Sequence, residues 1–426
     1  MNACLSEKLE KQNAARAEPA SQARWAALPI AGRLAFVRCF RELVAEHAKA
    51  LAGAAARASG RTVAEKLASE VLPLVDACRW LERRAGRVLS ARVCGRSGRP
   101  LWLHGVSFEV QRKPFGTLLV IGPGNYPLFL PAVQALHGLT AGNAVLVKPA
   151  PGMSDVATRF AELAWSAGLD RKLLKILPES VEAAQTAIAD KVIFTGSSTN
   201  GRDILARLAR TNTPSVVELS GEDVVLVLAD ADRELVIRAL KFGLRLNGGA
   251  SCIAPRRVLA VAPLAVDLFA RIADEGLTEL EMEEVADDES ALARIAAGPF
   301  GLGVSIFSGD ISRARSLGSR LACGFVVVND LIVPTADPRM PFGGVKASGF
   351  GVTRGDEGLL EMTYPHVVLV RSGQMRPHFD EHREGDEHLF SSYIAMAYGR
   401  RSQSLRALRS FIQAALQREK SKAVKT

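Results

Sequence analysis

The chain has 426 residues, which is too long for one compact core and predicts two or three domains. Hydrophobic residues make up 48% and charged residues 23%, a balance that excludes disordered and fibrous classes. Lys plus Arg outnumber Asp plus Glu by 54 to 45, giving a pI near 9.4; with no nucleic-acid-binding motif in view, the surplus reads as a solvated basic surface plus a basic tail, and no nucleic-acid partner is expected.

From about Trp25 to Arg84 the apolar residues recur at helical spacing, interrupted by Gly60. Residues 86–112 carry β-type residues with Gly/Pro punctuation and predict a projecting hairpin. From Thr117 short β-rich runs alternate with helical ones (TLLVIGPGN, PAVQALHGL, AVLVKPA, KVIFTG, RDILARLA), the pattern of a parallel sheet flanked by helices. A second α/β region follows Leu219, with VVLVLADAD, ELVIRALKFGLRL, RRVLAVA, GVSIFSG and GFVVVND. Beyond Gly373 the chain turns polar, and Leu389–Lys420 predicts a helix or helix pair. The first nineteen residues lack the apolar core of a signal peptide, and no stretch reaches spanning length, so a soluble, cytoplasmic protein is expected.

The six cysteines (Cys4, Cys39, Cys78, Cys94, Cys252 and Cys323) show no CxxC or Cys/His spacing, so neither a disulfide framework nor a metal site is indicated. His378, His382 and His388, among Asp380, Glu381 and Glu384, read as a solvated loop. One thiol stands apart. NGGASC, Asn247–Cys252, lies between a predicted helix and strand, where glycines permit close backbone approach and an element end can lower the thiol pKa; a small buried hydrophobe is the bland alternative. KVIFTGSSTNG reads as strand, turn and helix, with Gly196 and Gly201 in the turn and Ser197 or Ser198 as the cap, a helix start suited to pyrophosphate or simply an ordinary turn. In VIGPGNYP the Asn125 amide follows a buried strand and can donate to an oxyanion, or serve as a turn residue. In VVELSGED, Glu218 ends a strand, as a general base or a solvated carboxylate.

Taken in order from about Trp25 to Val370, these segments resemble the aldehyde dehydrogenase superfamily. IGPGNYP resembles its oxyanion-asparagine motif, LVKPA its ribose-binding lysine motif, FTGSSTNG its pyrophosphate turn, VELSGED its glutamate motif, NGGASCIAPRR its nucleophile motif and MPFGGVKASGFGVTRGDEGLLEMT its C-terminal signature. The resemblance implies an α/β fold with a Rossmann-like NAD(P)-binding domain (1–85 and 113–219), an oligomerisation hairpin (86–112), a smaller catalytic domain (220–362), an oligomerisation strand (363–373) and a polar linker with a helical tail (374–426). It implies catalysis by Cys252, Glu218 and Asn125, and binding of NAD or NADP by Lys148, Gly196, Ser197, Gly201 and Phe342. It also implies a homodimer or homotetramer in which the hairpin and the late strand TYPHVVLV pair across subunits.

The sequence departs from the family in two places. Pro151 stands where the family commonly has a ribose-binding glutamate after KPA. Only Ile253–Glu284 separates the nucleophile from VADDESALARIAAGPFGL, with no EIFGPV-like segment between, so a block carrying the nicotinamide-ribose glutamate is expected to be absent. Two rival readings follow: reduction of an acyl thioester to an aldehyde, which needs no water-activating base, and a catalytically impaired binding or scaffold subunit. In the tail, Leu405, Leu408, Ile412 and Leu416 form one stripe, with Arg401, Arg406, Arg409, Arg418 and Lys420 mostly on other faces. That pattern suits packing on the body or on a sister subunit, or peripheral contact with an anionic membrane.

Overall fold

The computed structural model describes residues 16–423 apart from Met375, Asp380, Arg401 and Gln403, and leaves the side chains of 377, 404 and 418–423 undescribed. Cys4, the leader region before Arg16, Asp380, Arg401 and the side chains of Arg418 and Lys420 therefore lie outside the described residues. By contacts the chain divides into two units: everything up to Cys94 with Phe108–Val368, and Gly95–Ser107 with the segment from Leu369 onward.

The first unit opens with helices Pro19–Ala27, Ile30–Glu46 and Ala48–Ser59. Gly60, at φ +66, ends the third in the left-handed conformation that glycine adopts without steric cost. The next helical stretch, Val63–Val88, is broken by a π turn at Leu67–Val71. Such one-residue bulges recur at functional sites, and this one carries Glu70 beside Lys66.

The strands are β1 (Arg92–Cys94), β2 (Val106–Pro114), β3 (Thr117–Ile121), β4 (Ala144–Lys148), β5 (Leu174–Ile176), β6 (Lys191–Thr195), β7 (Ser215–Glu218), β8 (Asp223–Val227), β9 (Pro255–Val261), β10 (Glu281–Val285), β11 (Phe300–Gly301), β12 (Gly303–Phe307), β13 (Phe325–Val328), β14 (Val345–Lys346), β15 (Gly349–Phe350) and β16 (Thr363–Arg371). A six-stranded sheet has the order β15-β7-β6-β3-β4-β5. Its β3 to β7 are parallel and wholly buried but for Lys175, Ile176 and Ser215, which is why they read as unbroken apolar runs. The chain winds from β3 outward through β4 and β5, then returns to lay β6 on the other side of β3. That reversal opens a crevice at the strands' carboxyl ends, the place where open α/β sheets bind ligands.

A second, fully parallel sheet has the order β10-β9-β8-β12-β13. Separate apolar clusters cover its two faces, one built on Val225, Val258 and Leu268, the other on Leu226, Leu259 and Ile306. Only 275–280 connect the helix Leu264–Asp274 to β10. The expected hairpin forms, with Arg92 opposite Val110. β16 is an outer strand of this three-stranded sheet, which has the order β1-β2-β16.

In the second unit, the helices Asp386–Tyr398 and Ser404–Ala423 pack as a pair, with the Ser392 and Ser410 hydroxyls 3.0 Å apart and the Tyr393 and Phe411 rings 5.6 Å apart. Leu405, Leu408, Ile412 and Leu416 remain exposed.

Candidate active site

The carboxyl ends of β3, β4, β6 and β7 deliver Gly122–Asn125, Lys148, Gly196–Ser197 and Glu218 to one crevice. Opposite them the helix Arg233–Arg245 runs into a tight turn and then into β9, and this connection carries Cys252. Asn125, Lys148, Gly196, Ser197, Glu218, Cys252 and Phe342 all line a single cavity of about 980 Å³.

The turn before Cys252 is held rigidly. Asn247 and Gly248 sit at φ +50 and +62, a left-handed pair that asparagine and glycine tolerate best. Asn247 donates its backbone N–H to Glu65 Oε1 (2.6 Å) and its amide to the Asn125 carbonyl (2.8 Å), and accepts from Lys66 Nζ (3.0 Å). The Asn125 amide donates to the Ala250 carbonyl at 2.8 Å, and its oxygen accepts from the Tyr126 N–H. One of its two N–H groups is thus committed to the loop that carries Cys252, and the other has no hydrogen bond among the described residues.

Glu218 is buried at 3% exposure. Its Oε2 accepts from Thr195 Oγ1 at 3.1 Å, Thr195 accepts from the Gln134 amide at 3.0 Å, and Oε1 accepts from Thr353 Oγ1. Burial raises the Glu218 pKa, and the Thr353, Arg354 and Thr195 contacts only partly offset it. A carboxyl of this kind is a better proton acceptor than a solvated one.

The lowered thiol pKa expected for Cys252 is not found. Burial first, then the Asp223 and Glu218 carboxylates, push it up to about 12, with Arg354 pulling the other way. Cys252 is half-buried, packed against the apolar cluster of Ile253, Leu302 and Phe342. Asp223 is itself raised well above the usual carboxylate range, so part of the repulsion it exerts disappears as it takes up a proton.

The cofactor residues divide. Lys148 is buried with its pKa lowered by desolvation, against which Glu179 acts only at a distance, and it has no hydrogen bond or ion pair among the described residues. Ser197 caps the helix Ser198–Leu208 by accepting from the Asn200 N–H, and the Ser198 hydroxyl at its start is buried without a partner. A partnerless ammonium and an open helix start fit ribose hydroxyls and a pyrophosphate. Gly201, however, does not line the cavity. A Cβ there would strike the Leu219 side chain, so this glycine serves helix-to-sheet packing. Phe342 lies between the rings and charges of the cavity wall, its ring centroid 5.4 Å from that of Phe325. Thr195, Asp223, Thr353 and Arg354 lie within the sequence motifs but are not singled out by them, and Gln134 and Lys66 lie outside every motif.

The Cys252 thiol, the Glu218 carboxyl and the Asn125 amide thus share one cavity. The sequence model of the aldehyde dehydrogenase family matches residues 3–284 and 280–368, and the chain belongs to that family. The match breaks where the EIFGPV-like segment is missing and ends before the helical tail. Relatives include the 4,4'-diapolycopene aldehyde oxidase of Methylomonas (26% identical, covering 91% of this chain and 88% of the relative) and the geranial dehydrogenase of Castellaniella defragrans (26%, covering 86% and 92%). Among solved structures, an NAD-dependent aldehyde dehydrogenase from Sinorhizobium meliloti shares the fold with a TM-score of 0.79 at 22% identity, covering 88% of this chain and 89% of that one. The protein is an aldehyde-acting oxidoreductase of mixed α/β fold.

Proposed function

We propose that the protein oxidises an apolar aldehyde to its carboxylic acid with NAD or NADP, through a thioester on Cys252. The observation that carries this reading is the meeting of Cys252, Asn125 and Glu218 in one cavity with Lys148 and Ser197. Cys252 adds as thiolate to the aldehyde carbon, and the oxyanion is held by the free Asn125 N–H and the Cys252 backbone N–H. The nicotinamide cofactor, when bound through Lys148, Gly196, Ser197 and Phe342, supplies the hydride acceptor. Glu218 takes a proton from the water that opens the thioester. That buried base favours oxidation over thioester reduction, which has no use for it.

The substrate end of the cavity supports an apolar chain: Leu72, Pro73, Leu130, Phe242, Leu246 and Val333 line it. Acyclic isoprenoid aldehydes, the kind named for two relatives, fit that lining. A membrane-dissolved substrate also gives the tail a purpose. Eight basic residues and one acidic residue fall between Gly399 and Thr426, so most of the chain's surplus charge lies here beside the exposed Leu405–Leu416 row, suited to an anionic bilayer surface. A reduced Cys252 fits the cytoplasm. The exposed apolar edge Tyr364, Val367 and Val368 on β16 supports burial against a sister subunit.

Incubation of the protein with NAD or NADP and a series of apolar and polar aldehydes, following reduced-cofactor absorbance, tests the reading. Turnover is expected with apolar chains and is expected to vanish in Cys252→Ala; turnover that survives this substitution sinks the mechanism.

A further inference from the structure

Arg354 occupies a place that ordinary packing does not explain. Its backbone stands at φ +60 and ψ 173, a region that is essentially reserved for glycine and strained for any side chain. Its guanidinium is buried, 4% exposed, and lines the cavity of Cys252 and Glu218. Nη1 donates to the Thr335 carbonyl, the charge lies 4.4 Å from the Phe342 ring centroid and 5.6 Å from that of Phe129, and Nε has no partner. No carboxylate reaches it within ion-pair distance among the described residues; of the other buried cations, Lys66 holds Glu70 at 3.0 Å, and Lys148 lies in the same cavity at the carboxyl end of β4. Isolating a cation in this way costs stability unless anions nearby give it a counterweight.

Cys252 and Glu218 are the groups whose ionised forms Arg354 favours, and they in turn favour its own charge. Burial lowers the Arg354 pKa only to about 10, so the cation persists at neutral pH. The other titratable group facing it, His137 on the helix Phe129–Thr140, is held neutral by burial, with a pKa of about 3, and adds no competing charge. Asp223 faces Cys252 from β8 and disfavours the thiolate.

We infer that Arg354 is the positive pole of the active site, keeping the Cys252 thiolate and the Glu218 carboxylate available in a cavity that otherwise neutralises both. This rests on the roles assigned to those two residues. Arg354 has no hydrogen bond or ion pair with Cys252 or Glu218 and acts through charge.

The test compares wild type with Arg354→Lys, which keeps the charge, and Arg354→Gln, which keeps a donor for Thr335 without it. The readout is the rate of iodoacetamide alkylation of Cys252 at one mildly alkaline pH, identified by peptide mass, in variants that melt as wild type does. Arg354→Gln is expected to slow alkylation about tenfold, the equivalent of about one pH unit in the thiol pKa, and Arg354→Lys to restore most of the rate. An unchanged rate in Arg354→Gln, or equal losses in both variants, overturns the inference. Turnover that persists in Cys252→Ala would instead discredit the Cys252 assignment.

Discussion

Lys66 Nζ donates to Asn247 Oδ1 at 3.0 Å, and through this bond an N-terminal helix fixes the loop that ends in Cys252. The same ammonium lies 3.0 Å from Glu70 Oε1 and 3.4 Å from the Asn125 carbonyl, while Glu70 Oε2 accepts from the Leu128 and Phe129 N–H groups at the start of a helix. Three segments far apart in sequence, 66–70, 125–129 and 247, thus share one fully buried ion pair, whose members stand four residues apart on helical backbone.

Removing one member of such a pair leaves an uncompensated buried charge. Lys66→Met is expected to cost about 3–5 kcal/mol in urea unfolding. It should also reduce turnover in the fraction that stays folded, because Asn125 and Asn247 lose their common donor. A loss below about 1 kcal/mol would show that water replaces the ammonium.

Glu218→Gln separates the chemical steps. The thioester should still form, giving a burst of reduced cofactor of one equivalent per site, but steady turnover should fall by about 10²–10⁴-fold, the usual contribution of a positioned base. The substitution should also alter stability. Because folding raises the Glu218 pKa above its ordinary 4.5, its stability contribution is full below that value and declines as pH rises through the elevated one. Glu218→Gln should flatten this decline, measured by urea titrations in mildly acidic and mildly alkaline buffer.

Gly201 and Ser197 stand four residues apart in one turn yet predict different phenotypes. Gly201→Ala drives a methyl into Leu219 and should destabilise the chain by about 1–3 kcal/mol, the range for overpacking. Ser197→Ala removes the helix cap at the cavity edge, so it should weaken cofactor binding along with a loss of about 1 kcal/mol. Calorimetric cofactor titration beside thermal melting distinguishes the two.

The strand ends were legible because parallel strands buried on both faces leave long apolar runs, and the residues just after those runs are where ligands meet the sheet. Asn125, Lys148 and Glu218 follow that rule, whereas Cys252 sits on the connection that enters β9. The groups that tune them were not legible. Thr353 reaches Glu218 from 135 positions away, Gln134 reaches it only through Thr195, and Lys66 meets Asn247 across 181 residues. Such contacts are fixed by tertiary packing and leave no periodicity or spacing to read. The same cause reversed the thiol expectation: glycines near Cys252 are visible in sequence, whereas the Asp223 and Glu218 carboxylates and the apolar wall are not.

His137 gives the fold an acid sensitivity of its own. The imidazole stacks on Trp80 at 5.5 Å, and burial lowers its pKa from 6.5 to about 3. The unfolded chain therefore binds a proton below pH 6.5 that the folded chain refuses. By linkage, the stability from this group is full above 6.5 and falls as the pH drops toward 3, the opposite sense to Glu218. His137→Leu, which keeps an apolar body in the stack, should lose that slope, so the mutant and wild-type unfolding free energies should converge or cross as the buffer becomes more acidic. Parallel curves over that window would mean that the imidazole takes up its proton without unfolding the chain.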